Sequence, residues 1–493
     1  MFIRRLRPNA AWKDGSLFGR AFHRVFHGSR HDVDMVDGPI FPNLVRFTIP
    51  LMLSSILQLL YNMADIVVVG RFESTDAVAS VGATSALINL MINLFLGLSI
   101  GTSVLVAQHY GANRYRDVQD TVHTSVSLSL VMGVGVGIFG LFMSRTFLEW
   151  MGTPEGKVLD DAALYMRIYF LGMPANMAYN FGAAILRAIG DTKHPLYYLA
   201  LSGLVNVALN LLLVIVFGMG VSGVAVATIM SQYISAVLVL LNLIRSHGPV
   251  HLNLKKLRIC RDKVLGILKV GLPAGLQGTI FSVSNVLIQS SVNSFGTNAM
   301  AGNTAASNLE NFVYIAMNSI YQAALSFTGQ NVGARKYERI NKILRTSLLS
   351  TLVVGVVLGG LATLFSRSLL TVFIDVSHDP EVVRQVLDYG QLRMSIICTT
   401  YFLCGLMDVL VGMLRGMGNS LTPMIVSIIG VCCVRVMWIY TVFAAHRTLQ
   451  MLYISYPVSW GATAVVHFCC YVLVHRKLLK NAAQQGQLEA GVT

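Results

Sequence analysis

The chain has 493 residues, of which 54% are hydrophobic and 12% charged, against about 25% charged residues in an ordinary soluble domain. Its mean hydropathy of +0.63 excludes a soluble multidomain enzyme and fits a membrane solvent, in which twelve spans of about 21 residues would use about half of the chain. The formal charge of +14 keeps nucleic acid in play only until the positive charges are located.

The first forty residues hold Arg4, Arg5, Arg7, Lys13, Arg20, Arg24 and Arg30 with no apolar segment among them, which predicts a basic tail over 1–41 rather than a signal peptide. A charge at the centre of a spanning helix costs about 2.5 to 3.5 kcal/mol on insertion scales, so uncharged runs mark the spans. They predict helices over 44–69, 78–107, 121–144, 163–187, 196–217 and 221–244, which form a first lobe at 42–245. Phe217-Gly218-Met219-Gly220 splits the longest uncharged run into two of these. A basic linker occupies 246–265. Six further spans over 266–294, 299–328, 343–365, 387–413, 422–444 and 450–474 make a second lobe at 266–475, and 476–493 is a second tail. The predicted class is an all-α integral membrane protein with twelve transmembrane helices.

Both tails and the even-numbered loops hold 28 Lys and Arg, and the odd-numbered loops hold six. This asymmetry predicts cytoplasmic termini. Basic residues spread along one side of a membrane protein form no compact patch, so nucleic acid is not an expected partner. None of the seven cysteines has C-x-x-C spacing, and no G-x-x-x-x-G-K-[ST] sequence or metal-ligand cluster occurs. No cofactor and no enzymatic activity are therefore expected.

The two lobes are similar in sequence. Arg46 and Pro50 recur as Lys269 and Pro273 at an offset of 223 residues. Gln108-His109-Tyr110-Gly111-Ala112 recurs as Gln330-Asn331-Val332-Gly333-Ala334 at an offset of 222. Leu186-Arg187-Ala188-Ile189-Gly190-Asp191 with Pro195 recurs as Leu414-Arg415-Gly416-Met417-Gly418-Asn419 with Pro423 at an offset of 228. Each repeat holds six spans, an even number, so the halves are parallel repeats about an axis along the membrane normal, with a cavity expected between them.

Three acids sit well inside predicted spans: Asp65, Glu310 and Asp408. An intramembrane carboxylate must be paired, protonated or wet, which makes each a candidate site. Gln58, Tyr61 and Asn62 share a helical face with Asp65, and Asn206 and Asn210 share a face of the fifth span. In the seventh span Asn285, Gln289 and Asn293 form a polar stripe, and in the eighth Asn303, Ser307, Glu310 with Asn311, Tyr314, Asn318 and Tyr321 form another. Such stripes face a cavity or another helix, never lipid. Arg435 in the eleventh span is expected to pair structurally with Asp408 or Glu310. Arg187 and Arg415, beside glycines at equivalent span ends, are expected to cap helix carbonyls and anchor to headgroups.

Asn62-Met63-Ala64-Asp65-Ile66-Val67-Val68-Val69-Gly70-Arg71, the two Gln-containing loops and the two Leu-Arg-x-x-Gly-(Asp/Asn) loops resemble those of the multidrug and toxic compound extrusion transporters over about residues 42 to 475. The resemblance implies a V-shaped pair of six-helix bundles with alternating access, exporting small organic cations across the plasma membrane in exchange for protons or sodium ions. In the proton-coupled, DinF-like branch it places the first-span Asp65 against Asn206 and Asn210. The sodium-coupled, NorM-like branch has a seventh-span Glu where this chain has Phe281, so the chain looks closer to the first. Membrane lipids are the expected surroundings and a monomer the expected state. The competing reading is a lipid-linked saccharide flippase of the same superfamily, which should carry several basic residues in its cavity to hold a diphosphate.

Overall fold

The computed structural model describes residues 33–72, 75–151, 153, 156–246, 248–373 and 380–490. The basic residues from Arg4 to Arg30 lie outside these, as does the role expected of them. The described elements are all helical. The first six spans are α1 (Ile40–Phe72), α2 (Thr75–Gly111), α3 (Tyr115–Trp150), α4 in two pieces (Lys157–Leu171 and Met173–Ile189), α5 (Lys193–Val216) and α6 (Gly220–Arg245). The second six are α7 (Arg261–Asn293), α8 (Thr297–Gly333), α9 (Tyr337–Leu364), α10 in two pieces (Pro380–Thr400 and Phe402–Gly416), α11 (Leu421–Phe443) and α12 (Leu449–Ala490). The two ends of the described chain share one face, called the terminal face below.

Nine of these helices are long and apolar enough to cross a membrane, and α10, bent by 45°, makes a tenth. The other two have physical reasons to fall short. Gly172 and Pro174 interrupt α4, since proline removes a donor and clashes with the preceding turn. α8 carries the long polar stripe, and it is packed on so many sides that Asn303, Glu310, Ser319, Gln330 and Asn331 are all buried. A helix enclosed by protein has no need of an apolar surface.

The Leu-Arg-x-x-Gly-(Asp/Asn) loops have the same construction in both halves. Gly190 (φ 102°) and Gly418 (φ 83°) take the left-handed conformation that ends α4 and α10. Asp191 then accepts from the backbone N–H of His194 at 3.1 Å, and Asn419 from that of Thr422 at 3.2 Å, which starts α5 and α11. Pro195 and Pro423 sit in the first turns that follow, where a missing N–H costs nothing.

The lobes meet mainly along α2 and α7. A Cβ on Gly97 would lie 2.1 Å from the Gly275 nitrogen, and one on Gly275 would lie 2.4 Å from the Leu94 oxygen. Backbone therefore touches backbone, which small residues at four-residue spacing permit in a membrane. Each lobe-opening helix also starts against the opposite half: Leu44, Phe47 and Leu51 of α1 pack with Phe327 and Ile343 of the second lobe, and Val270 of α7 packs with Val104 of the first.

Two boundaries differ from those the sequence suggests. Residues 33–39, expected in the basic tail, are seated in the structure: Met35 is buried among second-lobe side chains. Residues 476–490 continue α12 as helix, because the polar run from Arg476 contains no proline or glycine until Gly486.

Candidate functional site

Among the described residues, three cavities between the spans hold the candidate side chains. The first lies inside the first lobe, has a volume of about 90 Å³, and is lined by Gln58, Tyr61, Asn62, Asp65, Asn206 and Thr228, with Asn176 and Asn180 from α4. Asn210 donates Nδ2–H to Asp65 Oδ1 at 2.5 Å and also lies 3.3 Å from Asn206 Oδ1. The Thr228 hydroxyl of α6 donates to Asp65 Oδ2 at 3.3 Å. Tyr61 donates instead to the Ala200 carbonyl at 3.3 Å. The structure thus brings Asp65, Asn206 and Asn210 together and gives Asp65 only neutral partners among the described residues. Asn210 Oδ1 is buried with no partner among them. The chain leaves α-helical winding directly after Asn210, in a π-turn over Leu211–Val216, a device common where a helix presents a functional side chain. Thr228 was missed by the sequence reading, although Thr228, Ser231, Gln232 and Ser235 step along one face of α6.

The second cavity, about 460 Å³, lies in the second lobe and holds Asn285, Gln289, Glu310, Asn311, Arg393, Asp408 and Arg435. Here the expected pairing is corrected. Glu310 accepts two hydrogen bonds from Arg393, Nε to Oε1 at 2.9 Å and Nη2 to Oε2 at 2.7 Å. Arg393 Nη1 continues to Asn303 Oδ1 at 2.7 Å, and Asn303 Nδ2 to Gln289 Oε1 at 2.9 Å. Gln289 of the α7 stripe and Asn303 and Glu310 of the α8 stripe are therefore joined through Arg393, a fork that matches a carboxylate bidentately. Arg435 pairs with neither acid. Its Nε donates to the Ser459 hydroxyl at 3.0 Å, and its guanidinium lies 4.1 Å from the Tyr456 ring centre and 5.5 Å from that of Trp460. With both Glu310 oxygens engaged by Arg393, Arg435 is left with the Ser459 hydroxyl and the two aromatic rings.

The third cavity, about 290 Å³, lies between the lobes. It shares Asn93, Gly278, Phe281, Tyr314 and Asp408 with the second, so the two adjoin. Arg187 and Arg415 both line it. Arg415 is 5% exposed and donates to Tyr321 Oη at 2.6 Å and Gln277 Oε1 at 2.9 Å. This corrects the expectation of headgroup anchors: the close approach of the lobes turns both arginines inward.

Below them on the terminal face the repeated loops lock the lobes together. Gln108 Nε2 donates to the Gly416 carbonyl at 2.9 Å, and Gln330 Nε2 to the Ala188 carbonyl at 2.8 Å. Each glutamine crosses to the other lobe, and both partners are repeat-equivalent. Gly111 and Gly333 let the loops interpenetrate, since a Cβ on either would lie about 2 Å from the opposite Gln carbonyl. Residues 33–38 cover the seam. Val33 N–H donates to the Gly190 carbonyl at 3.2 Å, Asn331 Nδ2 to the Met35 carbonyl at 2.9 Å, and Lys336 pairs with Asp37.

The MatE family model matches residues 50–212 and again 273–441, beginning each time at a repeated proline. The chain belongs to the MatE family. Among relatives of this MatE chain, "Probable multidrug resistance protein YoeA" of Bacillus subtilis is 27% identical over 447 residues, covering 89% of this chain and 95% of that protein. "Probable multidrug resistance protein YpnP" of the same organism is 28% identical over 396 residues, covering 80% and 87%. A solved structure described as an outward-facing conformation of a multidrug resistance MATE family transporter superposes with a TM-score of 0.84 at 23% identity, over 92% of this chain and 99% of that one. That likeness shows the fold: twelve helices in two parallel six-helix lobes. A multi-pass membrane protein is the only setting in which so many apolar faces are stable.

Proposed function

We propose that the chain is a secondary antiporter that exports organic cations, drugs or related amphipathic compounds across the plasma membrane, both termini cytoplasmic, in exchange for protons, with sodium ions as the alternative. It works as a monomer and as a transporter rather than an enzyme. The observation that carries this reading is Asp65, an intramembrane carboxylate at the edge of a cavity, held by Asn210 and Thr228 with no charged partner among the described residues. A carboxylate with neutral partners changes charge when it takes up a proton or an ion, and the two charge states favour different lobe arrangements. Exchange requires no more than that difference in affinity between two states. The closed seam under the central cavity supports a conformer sealed on the cytoplasmic side, and relatives named as multidrug resistance proteins support the cargo class. Phe281 in the cavity wall supports the DinF-like assignment, because it supplies no seventh-span carboxylate for sodium.

The test is export of a fluorescent organic cation from vesicles under separately imposed proton and sodium gradients. Export driven by neither gradient overturns antiport; export driven by sodium alone overturns proton coupling.

The two inward arginines of the central cavity favour the flippase reading to one extent, since a diphosphate needs basic residues. Transbilayer movement of a lipid diphosphate in the same vesicles, with no drug export, would establish it instead.

A further inference from the structure

Arg435 is 4% exposed and lines the second-lobe cavity, yet no carboxylate lies within ion-pairing distance of it among the described residues. A guanidinium offers five N–H donors, and the one to Ser459 is the single hydrogen bond it makes to a described residue. Its Nη2 is buried without a partner among them. The charges around it deepen the imbalance. Glu310 is consumed by Arg393. Asp408 is then the remaining acid of the two adjoining cavities, against Arg187, Arg415 and Arg435, so the joined space carries net positive charge. The first-lobe cavity is opposite in sign, with Asp65 as its charged lining residue.

A buried cation that keeps unused donors beside an open cavity is completed by an anion from outside the protein. The walls around Arg435 specify which kind. Tyr401, Tyr456 and Trp460 form an aromatic wall around Trp460, with Tyr401 tilted by 44° at 5.2 Å between ring centres and Tyr456 edge-on at 5.5 Å. A planar ring fits against such a surface, and a carboxylate matches the fork of a guanidinium. We propose that this cavity binds an aromatic carboxylate, its carboxyl group on Arg435 and its ring against Trp460 and Tyr401, since the guanidinium already covers Tyr456. The proposal rests on the reading of the chain as an exporter of small organic compounds and names the class its second lobe accepts.

Binding to the purified full-length protein in detergent tests it without transport. Three probes share one ring system: naphthalene-2-carboxylate, its carboxamide, and 2-naphthylmethylammonium. The wild type is expected to hold the carboxylate about tenfold more tightly than the carboxamide, in line with a charge-assisted bidentate contact. Bound naphthoate should quench Trp460, and Trp460→Phe should remove that quenching. Arg435→Gln should abolish the preference for carboxylate over carboxamide while leaving carboxamide affinity in place. Equal affinity for carboxylate and carboxamide in the wild type overturns the proposal, and that comparison needs no variant to fold. A preference that survives in Arg435→Gln also overturns it, placing the anion on Arg187 and Arg415 or on a lipid phosphate site. Failure of gradient-driven export with carboxylate binding intact would count against the antiporter reading alone.

Discussion

Asp65 and Glu310 are both intramembrane carboxylates, and their partners separate their roles. Glu310 faces a guanidinium at 2.7 Å, so removing it leaves Arg393 buried and unpaired, a loss of about 3 to 5 kcal/mol. Glu310→Ala should lower the folded yield and the melting temperature in detergent, and Glu310→Leu combined with Arg393→Met should recover much of the loss. An unchanged melting temperature for Glu310→Ala would show that the pair contributes nothing to stability. Asp65 has amide and hydroxyl partners, which accept a neutral isostere. Asp65→Asn should fold and insert as the wild type does and lose gradient-driven export. Wild-type export by Asp65→Asn would move the coupling site to Asp408. The sequence placed both acids in spans but expected Asp408 or Glu310 to pair with Arg435, whereas Glu310 pairs with Arg393. Arg393 and Arg435 both stand on second-lobe helices, and choosing between them requires knowing which faces α8, information that helical periodicity within one span does not hold.

The twelve spans were legible because uncharged runs and turn residues are local signals, and the structure differs from those expectations by a few residues at most ends. The contact of α2 with α7 was not, since glycines at Gly97 and Gly275 look the same in a lipid-facing helix as in a seam. Gly275→Leu should force the two backbones apart, an overpacking cost of about 1 to 3 kcal/mol or more, seen as a lower melting temperature and disordered elution on size exclusion. Gly461→Ala in α12, where a Cβ would meet nothing within 4 Å, is the control and should be neutral or slightly stabilising. The segment before α1 carries a pH-dependent element. Burial alone would push the Asp34 carboxyl up, but the backbone N–H groups of Asp37, Val36 and Gly38 together outweigh it and hold the carboxyl below its usual range. A depressed native value means that this contribution is present above the ordinary carboxylate value of about 3.9 and is lost as pH falls through the native value. The protection of residues 33–39 against hydrogen exchange, taken relative to the intrinsic rate at each pH, should fall with acidification in the wild type, and Asp34→Ala should show the lower protection at every pH. Equal protection in Asp34→Ala and wild type would remove the carboxylate from the account.

At the scale of the molecule, the repeated loops act as a closure across the two lobes. The repeat itself could be read from the sequence, but not that Gln108 reaches Gly416 while Gln330 reaches Ala188, because the crossing depends on how two separately folded halves dock. Both bonds span the same seam, so one can hold it while the other is absent. An amide to carbonyl bond contributes about 1 kcal/mol net, more where the freed carbonyl is left buried. Gln108→Ala or Gln330→Ala alone should therefore shift the lobes only slightly, and the double variant should shift them further than the two singles combined, toward a form open on the terminal face. Spin labels at Arg116 and Glu338, repeat-equivalent exposed positions on α3 and α9, would report the separation after the exposed Cys433 and Cys469 are replaced by alanine. The double variant should add a longer distance to the distribution, and its vesicles should bind a cavity ligand from the terminal side that the wild type binds mainly from the other. Export should slow at the same time, since a seam that does not close cannot complete the cycle. A distance distribution identical to that of the wild type would mean that the glycine contacts at Gly111 and Gly333, rather than the glutamines, hold the lobes closed.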